Sequence, residues 1–172
     1  MRHTNTRIGA LAATGTVLLT ALAISACGGS GGTTAPPTTA SGRPATVGLA
    51  NEGNLGGILV DTQGRSLYLF QKDIGTTSEC SGACAAAWPP LRDAGNPVVG
   101  TDLSVSKLGT TQRSDGRRQV TYNGHPLYLY SGDRKPGDTN GQGLNVFGGG
   151  WFALSAAGNM VSGTGTGGGR GY

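Results

Sequence analysis

Between residues 45 and 162 the apolar side chains fall in short runs, each closed by Gly, Asn, Asp or Pro, which is the punctuation of strands and turns. The pattern predicts strands over 45–50, 58–61 and 66–70, and again over 104–113, 117–122 and 126–130. Turns are expected at Asn51-Glu52-Gly53-Asn54, Gln63-Gly64, Asp115-Gly116 and Asn123-Gly124. Asp-Gly and Asn-Gly between strand-like runs are strong hairpin signals, because a type I′ turn needs positive φ at both central residues. The chain therefore reads as all-β, in two three-stranded meanders.

The two meanders are copies of each other. Set at an offset of 60, VDTQGRSLYLFQKD and VTYNGHPLYLYSGD share Val60/Val120, Gly64/Gly124, Leu67/Leu127, Tyr68/Tyr128, Leu69/Leu129 and Asp73/Asp133. A tryptophan follows each copy, Trp88 in AAAWPPL and Trp151 in GGGWFAL, with Leu91 and Leu154 three residues later. The expected architecture is thus two tandem, pseudo-symmetric repeats, about 45–91 and 104–155, forming one compact domain over 45–162. In the first, Ser81 is expected to cap a short helix through Ala87 that Pro89-Pro90 stops. The second runs through PGDTNGQG to Gly148-Gly149-Gly150 instead. A localised function belongs where the copies differ, in the Cys80–Cys84 loop and in the loop over 136–150.

Period two sends Leu67 and Leu69 to one face of the strand and Tyr68 and Phe70 to the other. Both faces are apolar, so these strands are expected to be covered on both sides. Of the ten Tyr, Phe and Trp residues all but Tyr172 lie between Tyr68 and Phe152, which argues for one shared core.

The ends have another character. Arg2 and Arg7 precede an uncharged apolar run, too short and too interrupted to span a bilayer, and residues 1–26 read as a secretory signal peptide. Ile24-Ser25-Ala26-Cys27 closes it and resembles the bacterial lipobox, which makes Cys27 the expected lipidation site. Residues 27–44 are rich in Gly, Thr, Pro and Ser with no large apolar side chain, and read as a disordered lipid-anchored tether reaching roughly 20–25 Å. The Gly-rich stretch 163–172 is expected to be a disordered tail. Losing Arg2 and Arg7 halves the formal charge of +4, and the longest basic cluster is Arg117-Arg118. Nucleic acid is not an expected partner.

The lipobox and the motif Tyr-x-(Phe/Trp/Tyr)-x-x-Asp in two copies, Tyr68-Leu69-Phe70-Gln71-Lys72-Asp73 and Tyr128-Leu129-Tyr130-Ser131-Gly132-Asp133, resemble the bacterial secreted-repeat lipoproteins. CSGACAAAWPPL, QVTYNGHPLYLY and PGDTNGQG are similar to that family's pattern too. The resemblance covers about 57–155. It implies an exported protein, lipid-anchored on the outer face of the cytoplasmic membrane, or on the outer membrane in a Gram-negative host. It implies no activity.

Several residues invite chemistry. Cys80-x-x-x-Cys84 is either a structural disulfide pinning the loop before Trp88 or a redox-active or metal-binding dithiol; export favours the disulfide. Cys84 in a first helical turn would gain acidity from the helix dipole. His125, before Pro126, reads as a turn residue, and two Cys with one His do not complete a zinc site. Asp138-Thr139-Asn140-Gly141-Gln142-Gly143 begins like a calcium loop, but position 12 falls on Gly149 where a bidentate Glu is required. Asp73 and Asp133 are expected to close turns by accepting backbone N–H groups. Tyr68, Phe70, Tyr128, Tyr130, Trp88 and Trp151 are expected to be core, with neither metal nor cofactor. The expected role is a non-catalytic envelope protein with an unidentified envelope partner and the membrane as its anchor. The alternative is a small redox or electron-transfer lipoprotein using Cys80/Cys84, the aromatics or a bound cofactor; a cell-wall hydrolase ranks third.

Overall fold

The computed structural model describes residues 46–92 and 95–164. The expected signal peptide, Cys27, the tether and nearly all of the tail lie outside these residues. Among the described residues eight short strands carry the fold: β1 (Gly48–Asn51), β2 (Gly57–Val60), β3 (Tyr68–Phe70), β4 (Leu108–Gln112), β5 (Arg118–Tyr122), β6 (His125–Pro126), β7 (Asn145–Val146) and β8 (Gly149–Ala153). One helix, α1 (Ala83–Ala87), and two single 3-10 turns accompany them. The domain is all-β, and every pairing between these strands is antiparallel.

Strand order shows how the repeats combine. Sheets run β1-β2, β3-β8-β7 and β4-β5-β6. The third strand of each repeat starts in its own meander and ends in the other repeat. Leu67 N–H bonds Leu59 O at 2.9 Å and Leu127 N–H bonds Val120 O at 3.0 Å, within each copy. One residue on, Tyr68 and Tyr128 exchange both backbone bonds at 2.9 Å, so the two copies meet antiparallel at their signature tyrosines.

The tryptophan segments are exchanged. β8 of repeat two pairs with β3 of repeat one, placing Phe70 opposite Trp151. Residues 89–91 of repeat one lie along the third strand of repeat two, with Leu129 N–H on Pro89 O and Leu91 N–H on Leu127 O, both 2.8 Å. The leucine after each tryptophan also reaches the other hairpin: Leu59 N–H bonds Leu154 O at 2.8 Å and Val120 N–H bonds Leu91 O at 2.9 Å.

The doubled face of the strands produces two cores rather than the single one expected. Leu67, Leu69 and Leu127 pack with Val47, Leu59, Leu91, Val120, Tyr122 and Leu154 in an aliphatic core. Tyr68, Phe70 and Tyr128 pack with Trp88, Trp151, Ile58 and the Cys80–Cys84 bridge in an aromatic core. Both draw on both repeats, because period-two strands that cross between copies offer one face to each.

Local expectations shift in four places. Residues 105–107 form a 3-10 turn, so the strand expected over 104–113 is confined to β4. Asp115-Gly116 lies in a three-residue loop between Arg113 and Arg117, with only Gly116 at positive φ; Asn123 (φ 50) and Gly124 (φ 83) form the two-residue turn expected of them. Helix α1 starts after Gly82 (φ 54) with no side-chain cap, and Ser81 contributes its carbonyl to Cys84 N–H instead. Finally, Val120 corresponds to Leu59 and not to Val60, since repeat one spends one more residue in the turn around Gly64 (φ 74).

Candidate functional site

The repeated residues converge on the line where the copies meet. Strand exchange lays Trp88 and Trp151 face to face, ring centroids 3.9 Å apart and planes 6° from parallel. Phe70 stacks on the outer side of Trp151 at 4.1 Å and Tyr130 on the outer side of Trp88 at 4.3 Å. The result is one column, Phe70–Trp151–Trp88–Tyr130, tighter than the roughly 4.5–7 Å usual for aromatic pairs. Tyr68 stands edge-on to Trp88 at 5.4 Å and Tyr128 edge-on to Trp151 at 5.2 Å.

Each of these tyrosines reaches the aspartate of the other copy. Tyr68 donates its hydroxyl to Asp133 Oδ2 at 2.7 Å, and Tyr128 donates to Asp73 Oδ2 at 2.8 Å. The remaining carboxylate oxygens hold their own loops: Asp73 Oδ1 accepts Glu79 N–H at 2.8 Å, and Asp133 Oδ1 accepts Asn140 N–H at 2.9 Å. The aspartates thus accept backbone N–H groups six and seven residues on, spanning whole loops rather than single Asx turns, and they clasp the opposite repeat as well.

Burial dominates the electrostatics. It pushes the Asp73 carboxyl up to about 6, against the N–H of Glu79, the Tyr128 hydroxyl and the Arg113 cation, which favour the charged form. Burial raises Asp133 likewise, opposed by Tyr68 and Asn140. Both tyrosines titrate above the ordinary range, first because they are buried and then because each faces a carboxylate. At neutral pH the phenols keep their protons, and Asp73, at about 6, is mostly a charged acceptor.

The copies differ around this symmetric centre. The Tyr128 oxygen lies 2.7 Å from Ser78 Oγ, which accepts Arg113 Nη1 at 2.6 Å. Arg113, 7% exposed, also donates to Gln119 Oε1 at 2.6 Å and to Cys80 O, fastening the disulfide loop to the β4–β5 hairpin. Cys80 and Cys84 are bonded to each other with Cα atoms 5.3 Å apart, and Cys80 is wholly buried. Beside them lies an open depression of about 530 Å³ lined by Thr77, Ser78, Glu79, Ser81, Gln112 and Arg113. In the other loop, Gln142 Oε1 accepts Ala153 N–H and its Nε2 donates to Val161 O, both 2.8 Å. A Cβ on Gly141 would come within 2.8 Å of Trp88 and 2.9 Å of Tyr68, so glycine lets this backbone lie on the aromatic core.

Arg113 and Ser78 carried no signal in the sequence, and Gln142 entered only through the calcium-loop pattern that fails at Gly149, because each works through partners remote in the chain. Phe147 was equally silent. It occupies the two-residue turn of β7–β8 at φ 58, a position suited to Asn or Gly, and stays 44% exposed. His125 opens β6, half-buried, and burial lowers its pKa. Among the described residues no three His, Cys, Asp or Glu side chains group to hold a metal ion.

Nothing matches the chain among curated proteins or among solved structures. Two stretches, 50–92 and 109–155, match the family described as a secreted repeat of unknown function, and each contains one copy of the Tyr and Asp signature just described. Together they span more than half of the sequence, and the chain belongs to that family of secreted repeats.

Proposed function

We propose that this secreted protein is a lipid-anchored, non-catalytic component of the cell envelope, held by Cys27 at the membrane and carrying its duplicated domain outward on the tether of residues 27–44. The observation that supports it is the reciprocal clasp. Both oxygens of Asp73 and of Asp133 are taken up by a tyrosine of the other copy and a loop N–H, and the signature aromatics are packed against one another. Groups so fully engaged make a stable head, and its binding of an envelope partner falls to the loops that differ between the copies. Cys27→Ala tests the anchor: the reading expects the variant in the soluble extracytoplasmic fraction, and retention in membranes would refute it.

A further inference from the structure

The aromatic column and the tyrosine clasp together form more than a core. We propose that the stacked pair Trp88–Trp151 is a one-electron relay ending on Tyr68, with Asp133 as the acceptor of the tyrosine proton. The inference goes beyond the envelope role and does not depend on the lipid anchor.

Four observations carry it. First, Phe70, Trp151, Trp88 and Tyr130 overlap in one unbroken stack, so an electron crosses the domain through rings in contact, and Tyr130 brings the column to the half-buried edge. Second, Tyr68 meets the edge of Trp88 while its hydroxyl donates to a carboxylate 2.7 Å away. A phenol that loses one electron becomes a strong acid, and oxidation is easy only where a base stands ready for the proton. Asp133 is that base; burial raises its proton affinity above that of a surface carboxylate. Third, Trp88 Nε1 is buried without a hydrogen-bond partner among the described residues, so an oxidised Trp88 cannot shed its proton and takes an electron from a neighbour instead. Trp151 Nε1 donates to a backbone carbonyl, Val146 O, which is no base for it. Fourth, Asp73 beside Tyr128 is a raised carboxylate too, but the Arg113 cation faces it and stands behind Ser78 on the Tyr128 hydroxyl, whereas the charge facing Asp133 is the Asp138 carboxylate, so Tyr68 is the favoured end point.

The step balances. An outer-sphere one-electron oxidant, a high-potential metal complex, removes one electron from the tryptophan stack. Tyr68 replaces it; the phenolic O–H bond breaks, and the proton passes to Asp133 Oδ2. The products are a neutral phenoxyl radical and a protonated Asp133. One electron from an external donor returns the proton to Tyr68 and restores the starting state.

Laser flash oxidation of the full chain by tris(bipyridine)ruthenium(III), followed by transient absorption and electron paramagnetic resonance, tests it. The expected result is a tryptophan radical cation giving way to a neutral tyrosyl radical, retained in Tyr128→Phe and lost in Tyr68→Phe, where the tryptophan signal persists. Asp133→Asn should slow tyrosyl formation by about 100-fold, as expected on removing a positioned base. Equal tyrosyl yield in Tyr68→Phe would overturn the proposal. Independently of any variant, the unaltered chain should form the radical more slowly in D2O; identical rates in H2O and D2O would exclude the proton transfer.

Discussion

Asp73 is a carboxylate that the fold makes harder to ionise, and this has a consequence for stability. Its pKa rises from 3.8 to about 6 because burial outweighs the N–H of Glu79, the Tyr128 hydroxyl and Arg113, while Glu79 adds to the rise. A group whose folded pKa exceeds its unfolded one binds its proton more tightly in the native state, so stability falls as pH climbs through that window. Asp133 acts in the same direction. Denaturant melts at pH 4 and pH 7 should therefore show the unaltered chain losing more stability, or gaining less, with rising pH than Asp73→Asn does. Equal slopes would contradict the assignment. The sequence displayed both aspartates and their fixed distance from the strand, but the partners lie 65 and 55 residues away, and no local pattern encodes a bond of that reach.

At the scale of elements, hairpins with standard turn chemistry were legible and those built otherwise were not. Asn123-Gly124 supplies positive φ at both turn positions, so its hairpin is readable. β7–β8 turns through Phe147-Gly148, and nothing in a phenylalanine announces a turn. The same limit hides the packing of the loop over Thr139–Gly143, which in the sequence offers only a calcium-like pattern that fails at Gly149. Gly141 is there because the loop backbone lies against Trp88 and Tyr68. Gly141→Ala should overpack that contact and cost about 1–3 kcal/mol, measured as a lowered urea midpoint at unchanged m. A variant as stable as the parent would mean that the loop does not press on the column.

For the whole molecule, duplication was visible but the exchange was not. Repeated Leu-Tyr-Leu-aromatic strands imply two similar halves, and the plain expectation is two meanders side by side. Instead each copy gives its tryptophan segment to the other, and Leu91 and Leu154 complete hairpins they do not belong to. The choice is made by backbone pairing far along the chain, where residue pattern is equally satisfied by either arrangement. Exchange makes the two repeats of this secreted protein one cooperative unit. Native-state hydrogen exchange tests that most directly, at the amides of Leu59, Tyr68, Val120 and Tyr128, each bonded to a carbonyl of the other copy. The account predicts that all four open with one shared free energy and that Tyr68→Phe lowers all four equally. Loss of protection at Leu59 and Tyr68 with Val120 and Tyr128 unchanged would show two independent repeats and contradict it.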